Sequence, residues 1–217
     1  PAPGFFLNAR YRYSDVDVQT PEFDRTRGTV SYDTNLVASA GPSEYHSVKR
    51  SSFDLEGSFS VAPYTAVKAA YNHLASDYTH RIWETTGEDA FRVSLDTTGN
   101  SRYMVRAQYE NRQRTGDGFE AAALAEVGEL STMRHFDIAD RDRNRFTFIG
   151  TAADSDSFEV NGSVGVGRDE YPDSMHGLLS FDSDQYSIGF NFAPHDRYNA
   201  VASWGWENYK CQQRSRT

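Results

Sequence analysis

The stretch "FEVNGSVGVG" (residues 158–167) decides the fold class of this chain. Its even positions hold phenylalanine, valine or glycine, and its odd positions hold glutamate, asparagine, serine or glycine. Because a β-strand points successive side chains to opposite faces, this alternation predicts a strand with one apolar and one polar face. The pattern leaves two environments open. The apolar face packs on a protein core with water outside, or it contacts lipid while the polar face lines an aqueous interior.

Composition excludes some classes of protein. The 217 residues carry a net charge of −9 and are 38% hydrophobic, with a mean hydropathy of −0.69. No run approaches the roughly 18 apolar residues of a membrane-spanning helix, which excludes an α-helical membrane protein. Membrane-spanning β-strands need only about ten residues of alternating polarity, so mean hydropathy does not exclude a barrel. The acidic balance argues against nucleic acid as a partner.

The same hairpin unit recurs along the chain. Short turn-forming segments start the hairpins near residues 1, 62, 97, 152 and 193. Long polar links separate them, at about 14–50, 75–88, 113–144 and 168–184. A soluble sandwich seldom puts every short link at one end of its strands, whereas transmembrane barrels have short periplasmic turns and long external loops.

The sequence therefore predicts an all-β fold, an antiparallel up-and-down transmembrane β-barrel segment of about nine strands. Bacterial single-chain barrels close with an even number of strands. An open edge in hydrocarbon costs several kcal/mol for each unsatisfied backbone group. We therefore expect residues 1–217 to form one continuous segment of a larger barrel. Segment 27–38 is a candidate additional strand inside the first long link.

Strand parity also predicts which side chains meet which environment. The polar parity is rich in Arg, Asp, Glu, Asn and Ser and poor in Lys, as expected for a confined aqueous lumen in which opposite charges pair across strands. The residues predicted to face this lumen are Arg10, Arg12, Asp54, Glu56, Arg92, Arg106, Glu110 and Glu159. The residues predicted to face lipid are Phe53, Leu55, Phe59, Val105, Tyr109, Phe158, Val160, Val164, Ile188, Phe190, Phe192 and Trp204.

The longest link contains two contrasting parts. "FEAAALAEVGEL" (119–130) has a helix-forming composition and predicts a short helix over the barrel mouth. The charged part that follows predicts a salt-bridge cluster of Arg134, Asp137, Asp140, Arg141, Asp142 and Arg143. A calcium loop is disfavoured, because the glycine and terminal glutamate of an EF-hand are missing and the arginines would repel a cation.

No catalytic, metal-binding or cofactor-binding residue is assigned. The six histidines form no HExxH motif, and no GxSxG elbow is present. The single cysteine, Cys211, belongs to neither a CxxC pair nor a CxxCH haem-attachment site. We therefore expect a protein that is not an enzyme and binds no cofactor covalently.

Five stretches together resemble the MtrB/PioB family of outer-membrane barrels. They are "LNARYRYSDVDVQTPEF" (7–23), "VAPYTAVKAAY" (61–71), "TTGEDAFRVSLDTTG" (85–99), "RHFDIADRDRNRF" (134–146) and "QQRSRT" (212–217). The resemblance implies a porin-like sheath in the bacterial outer membrane. Such a sheath encloses a periplasmic multihaem c-type cytochrome, lets it meet an external cytochrome, and contributes no haem of its own. Two alternatives stay open: a general or substrate-specific diffusion porin, and a soluble antiparallel β-sheet binding protein.

Overall fold

A computed structural model describes residues 4–19, 24–25, 29–31, 35–37, 41–42, 47–79, 83–97, 102–119, 132–134, 139–155, 157–195 and 197–215. In chain order the strands are β1 (Phe5–Val16), β2 (Asp24–Arg25), β3 (Thr29–Ser31), β4 (Asn35–Val37), β5 (Gly41–Pro42), β6 (Val48–Ala62), β7 (Thr65–Tyr78), β8 (Trp83–Thr97), β9 (Tyr103–Phe119), β10 (Met133–Arg134), β11 (Arg141–Ser155), β12 (Phe158–Glu170), β13 (His176–His195) and β14 (Tyr198–Arg214).

Among the residues that the structure describes, nine long strands form one antiparallel sheet, in the order β1-β6-β7-β8-β9-β11-β12-β13-β14. The two-residue strand β10 adds a parallel pairing to β13. Strands β1 and β14 lie at opposite edges, so the sheet is not closed over the described residues. This confirms the predicted fold class, an up-and-down segment of a barrel. Where the structure describes the chain, it contains no helix long and apolar enough to cross a bilayer.

Each long strand contacts the strands with which it is hydrogen-bonded, and the described residues provide no second layer against which the sheet packs. A soluble sandwich needs such a layer, because its apolar side chains are buried between two sheets. The single layer therefore fits a barrel wall, in which one face of the sheet meets lipid and the other meets the interior.

The strands are longer than the alternation of their sequences indicated. Short turns join β6 to β7 at Ala62–Thr65, where Tyr64 has a φ of 64°. At the opposite end of the sheet, β7 and β8 are separated by only residues 79–82, and β9 continues to Phe119 before the next link. Strands of up to 20 residues exceed the roughly ten needed to cross a membrane. Their outer ends carry polar residues on both parities, which hides the period-two pattern.

The first long link contains two small antiparallel pairs outside the main sheet. Strands β3 and β4 pair with each other within segment 27–38, and β2 pairs with β5. The predicted additional strand is therefore a small hairpin. The helix predicted for 119–130 lies outside the described residues, apart from Phe119 at the end of β9.

Candidate functional site on the concave face of the sheet

In the observed register, the polar positions of each long strand lie opposite the polar positions of its neighbours. The nine long strands therefore share one polar and one apolar face. Arg10 lies opposite Asp54, and Asp54 lies opposite Asn72 on the next strand. In the same way Arg92 lies opposite Glu110. All eight residues predicted to face a lumen lie on the polar face, and all twelve predicted to face lipid lie on the other. We call these the polar wall and the apolar face.

The polar wall is the more buried of the two faces. In β8 the apolar residues Phe91, Val93 and Leu95 are 50%, 38% and 42% exposed, whereas Ser94 and Asp96 on the other parity are 8% and 4% exposed. A flat single sheet would expose both faces equally, so this sheet curves towards its polar wall. A soluble protein buries its apolar side chains. In this sheet the apolar side chains are instead more exposed than the polar ones.

The apolar face has the height of a membrane. Along β13 the apolar parity runs from Phe192 at the short-turn end to Tyr186, and Asp184 follows. The eight residue steps from Asp184 to Phe192 rise about 27 Å along the strand. With a strand tilt of about 40°, this is about 21 Å along the barrel axis, close to the ~25 Å apolar band of outer-membrane barrels.

Tyrosines mark the boundary where the apolar face becomes polar. Tyr71 Oη donates to Asp89 Oδ1 at 2.5 Å, and Tyr109 Oη donates to Asn144 Oδ1 at 2.7 Å. Each ring belongs to the apolar band while its hydroxyl bonds to a polar side chain beyond it. Aromatic residues with one apolar and one wet end favour the interface between hydrocarbon and water.

Cross-strand ion pairs and hydrogen bonds organise the polar wall. Asp96 lies between Lys68 Nζ at 2.8 Å and Arg106 Nε at 2.6 Å, and its side chain is 5% exposed. Asp54 accepts from Asn72 at 2.7 Å and pairs more loosely with Arg12 at 3.4 Å. A buried carboxylate with two cationic partners stabilises three adjacent strands in one register, since loss of either partner leaves a buried charge unpaired.

A second group of ion pairs lies on the polar wall near the long links. Glu88 accepts from Arg112 at 2.7 Å and from Arg141 at 2.9 Å. Arg143 binds Asp169 with two nearly parallel hydrogen bonds of 2.8 and 2.6 Å. The sequence analysis did not assign Glu88, Arg112 or Asp169. Their polar parity was visible in the sequence, but their pairing depends on the register.

The predicted loop cluster is therefore divided among different places. On the polar wall, Arg141 binds Glu88 of β8 across the intervening β9, and Arg143 binds Asp169 of the neighbouring β12. Asp142 lies on the opposite face of β11, and Asp137 falls outside the described residues. These contacts join β11 to β8 and β12 within the sheet. Arg134 also has interaction partners.

Asp140 joins the longest link to the sheet. Its Oδ1 accepts the Gly116 N–H at 2.7 Å, and the neighbouring Ala139 carbonyl accepts from Arg114 Nε at 2.8 Å. Burial, together with a hydrogen bond to the Asp173 carboxyl, raises the pKa of Asp140 to about 6. Asp173 lies in the link between β12 and β13, so this carboxyl pair connects two neighbouring links.

The polar wall contains a groove of about 860 Å³ at its long-link end. Arg12, Arg50, Arg114 and Glu88 line it together with smaller polar side chains. No cluster of three or more His, Cys, Asp or Glu in the described ranges could hold a metal ion. The groove therefore offers charged hydrogen-bonding groups for contact with another molecule.

Comparison with known proteins agrees with this geometry. The chain matches, over residues 1–217, the family described as "outer membrane beta-barrel porin, MtrB/PioB". It is 21% identical over 211 residues to the outer membrane protein MtrB of Shewanella baltica (strain OS185), covering 95% of this chain and 29% of that protein. The chain thus spans less than a third of the length of this curated relative.

Proposed function

Because this chain belongs to the MtrB/PioB family of outer-membrane β-barrel porins, we propose that it forms part of a sheath that encloses a multihaem c-type cytochrome for transmembrane electron transfer. The protein resides in the bacterial outer membrane, and its family is a porin family, not an enzyme family. The electron-transfer role and the absence of catalysis in the sheath are parts of the proposal.

The observation that best supports the proposal is the reversed polarity of the sheet. Its concave face presents ion pairs and hydrogen-bonding side chains, while large apolar side chains such as Phe190 and Trp204 are 40% and 60% exposed on the other face. In a membrane these apolar residues contact acyl chains, and the residues predicted to face lipid anchor the barrel. The polar wall then surrounds water or an enclosed hydrophilic protein.

Electron transfer across about 25 Å of hydrocarbon requires a chain of redox groups, and residues 1–217 provide no site to attach haem. Their only cysteine is Cys211, whereas c-type haem attachment uses a CxxCH motif. Haem would therefore be present only through a partner cytochrome, which would meet an external cytochrome at the long-link side. The barrel would insulate the haems from lipid, and lumen-facing residues such as Arg10, Glu56 and Glu110 would position the partner.

The direct test is purification of the complete barrel protein from outer membranes in mild detergent. We expect a haem protein to purify with it in a fixed ratio, measured by the Soret absorbance and by haem-stained gels. We also expect the loaded barrel to conduct little ion current in a planar bilayer. Complete barrels that purify without haem would contradict the proposal.

A diffusion porin is the second candidate, because the family is described as porins. It would share the architecture but have an open lumen. Native barrels with a steady open conductance and no haem protein would favour this candidate. Cys211, which is exposed and lies on the polar wall opposite Phe181, provides a further readout. A membrane-impermeant maleimide should label it in the empty barrel and not in a barrel filled by a cytochrome.

A further inference from the structure

The polar wall is positively charged along six of its nine strands, although the whole chain is acidic. On β1, β6, β7, β8, β9 and β11 the register places eleven basic and six acidic side chains on this wall, an excess of five positive charges. The basic residues are Arg10, Arg12, Arg50, Lys68, Arg92, Arg106, Arg112, Arg114, Arg141, Arg143 and Arg145. The acidic residues are Asp54, Glu56, Glu84, Glu88, Asp96 and Glu110.

This excess runs against the composition of the chain. The wall of these six strands holds half of the 22 lysines and arginines but only six of the 31 aspartates and glutamates, while the net charge is −9. Ten of the eleven basic residues are arginines, whose planar guanidinium groups bind carboxylates with two parallel hydrogen bonds. The excess is therefore a property of this face and not of the whole chain.

Within the part of the chain that the structure describes, three of these arginines have no acidic partner. Arg10, Arg50 and Arg145 form no ion pair with any carboxylate in the part of the chain that the structure describes. Arg50 has a side-chain hydrogen bond with Tyr78. By contrast, Arg143 and Arg106 each bind an acid of a neighbouring strand. The wall thus pairs some of its cations internally and leaves others available to a second molecule.

The remaining three strands present a different surface. On the polar-wall parity of β12, β13 and β14, the stretches 159–169, 181–191 and 201–209 contain Gly, Ser, Asn and Gln and no lysine or arginine. Their acids are Glu159, Asp169 and Glu207, and Asp169 is already bound to Arg143. The positive charge is therefore confined to one side of the concave wall, which gives an enclosed molecule a preferred orientation.

We infer that the β1–β11 side of the polar wall is a docking surface for an acidic protein face, rich in Asp and Glu carboxylates, on the enclosed partner. The inference rests on the proposed function and specifies which side of the wall the partner contacts and the charge of the partner's surface. Complementary charge directs two proteins into one relative orientation and speeds their encounter, and it makes the complex sensitive to salt.

The experiment compares two triple charge reversals in the complete barrel protein, purified with its haem protein. The first is Arg10→Glu, Arg50→Glu and Arg145→Glu on the wall. The matched control is Lys49→Glu, Arg168→Glu and Lys210→Glu, three cations on the opposite parity that change the net charge equally. Heat-modifiable gel migration and protease resistance establish that each barrel has assembled. Haem retained per barrel is measured as the salt concentration is raised.

We expect the wall variant to retain on the order of tenfold less haem protein than the wild type. The control should retain as much as the wild type, and salt should release the partner from the wild type progressively. Equal retention by both variants, or equal loss from both, would overturn the inference and leave the proposed function standing. A wild-type barrel that retains no haem protein would instead refute the proposed function.

Discussion

Replacing Ile188 by arginine tests whether the apolar face contacts lipid. Ile188 lies on this face of β13, opposite Gly162 and Trp204, and is 40% exposed. Asp184 lies four residues towards the long links, and Phe192, the last residue of the apolar parity, lies four residues towards the short turn. Each separation corresponds to about 10 Å along the barrel axis for a strand tilted by about 40°. Ile188 is therefore near the middle of the apolar band.

The expected cost follows from this depth. An arginine on the lipid face of a barrel costs about 2–4 kcal/mol at the bilayer midplane and close to nothing at the interfaces. We therefore expect Ile188→Arg to lower the free energy of unfolding by about 3 kcal/mol, which is more than a hundredfold in the folding equilibrium. In a water-facing sheet the same change at an exposed position would stay within about 0.5 kcal/mol.

The assay is reversible denaturant unfolding of the complete barrel in lipid vesicles, followed by tryptophan fluorescence. Ser187→Arg is the matched control, because Ser187 is the adjacent residue on the polar wall and is also exposed. Its arginine would face the aqueous interior on a stretch of the wall that holds no other lysine or arginine, and we expect a change below about 1 kcal/mol. A similar cost for both variants, or a larger cost for Ser187→Arg, would refute the assignment of the two faces.

Three further predictions concern the polar wall and its links. Asp96→Asn leaves Lys68 and a neighbouring arginine without their buried acid and should lower the free energy of unfolding by about 3 kcal/mol; an unchanged denaturant midpoint would contradict this. Because the folded state raises the pKa of Asp140 from 3.8 to about 6, the link junction should lose about 1 kcal/mol of local stability as pH rises from about 4 to 6, with little change above, after allowance for solvent screening. Hydrogen exchange at the junction measures this, and Asp173→Asn should reduce the pH dependence while the part due to burial remains. A polar maleimide should modify Cys211 in the empty barrel; a thiol inaccessible there would show that it does not face an open lumen.

The sequence alone predicted which side chains share a face of the sheet, because directly opposed residues of paired antiparallel strands point to the same face. Once the apolar residues of β12 share one face, each directly opposed neighbour places its own side chain on that same face. A period-two pattern interpreted strand by strand groups Arg10 with Glu159 and places Trp204 on the other parity, and the register keeps this grouping across the sheet although the three residues lie on different strands. The single layer and the strand count followed from the same repeat of hairpins.

The ends of the strands and the partners in the ion pairs could not be predicted from the sequence. The outer ends of β8 and β9 project beyond the apolar band, where both faces are polar and the alternation that identifies a strand disappears. The link between β7 and β8 is consequently shorter than the sequence indicated, since it comprises only residues 79–82. The partners of Glu88 depend on which residues of β9 and β11 stand beside it, and a shift of register would change them all.

The amino-acid sequence alone thus determined that each strand has an apolar and a polar side, because neighbouring side chains in an extended backbone point in opposite directions. Tertiary structure decided which side is concave and how positive charge collects along β1–β11, because curvature and register emerge only when strands pair. Arg10, Arg50 and Arg145 are far apart in the chain, and only the assembled sheet places them on one wall.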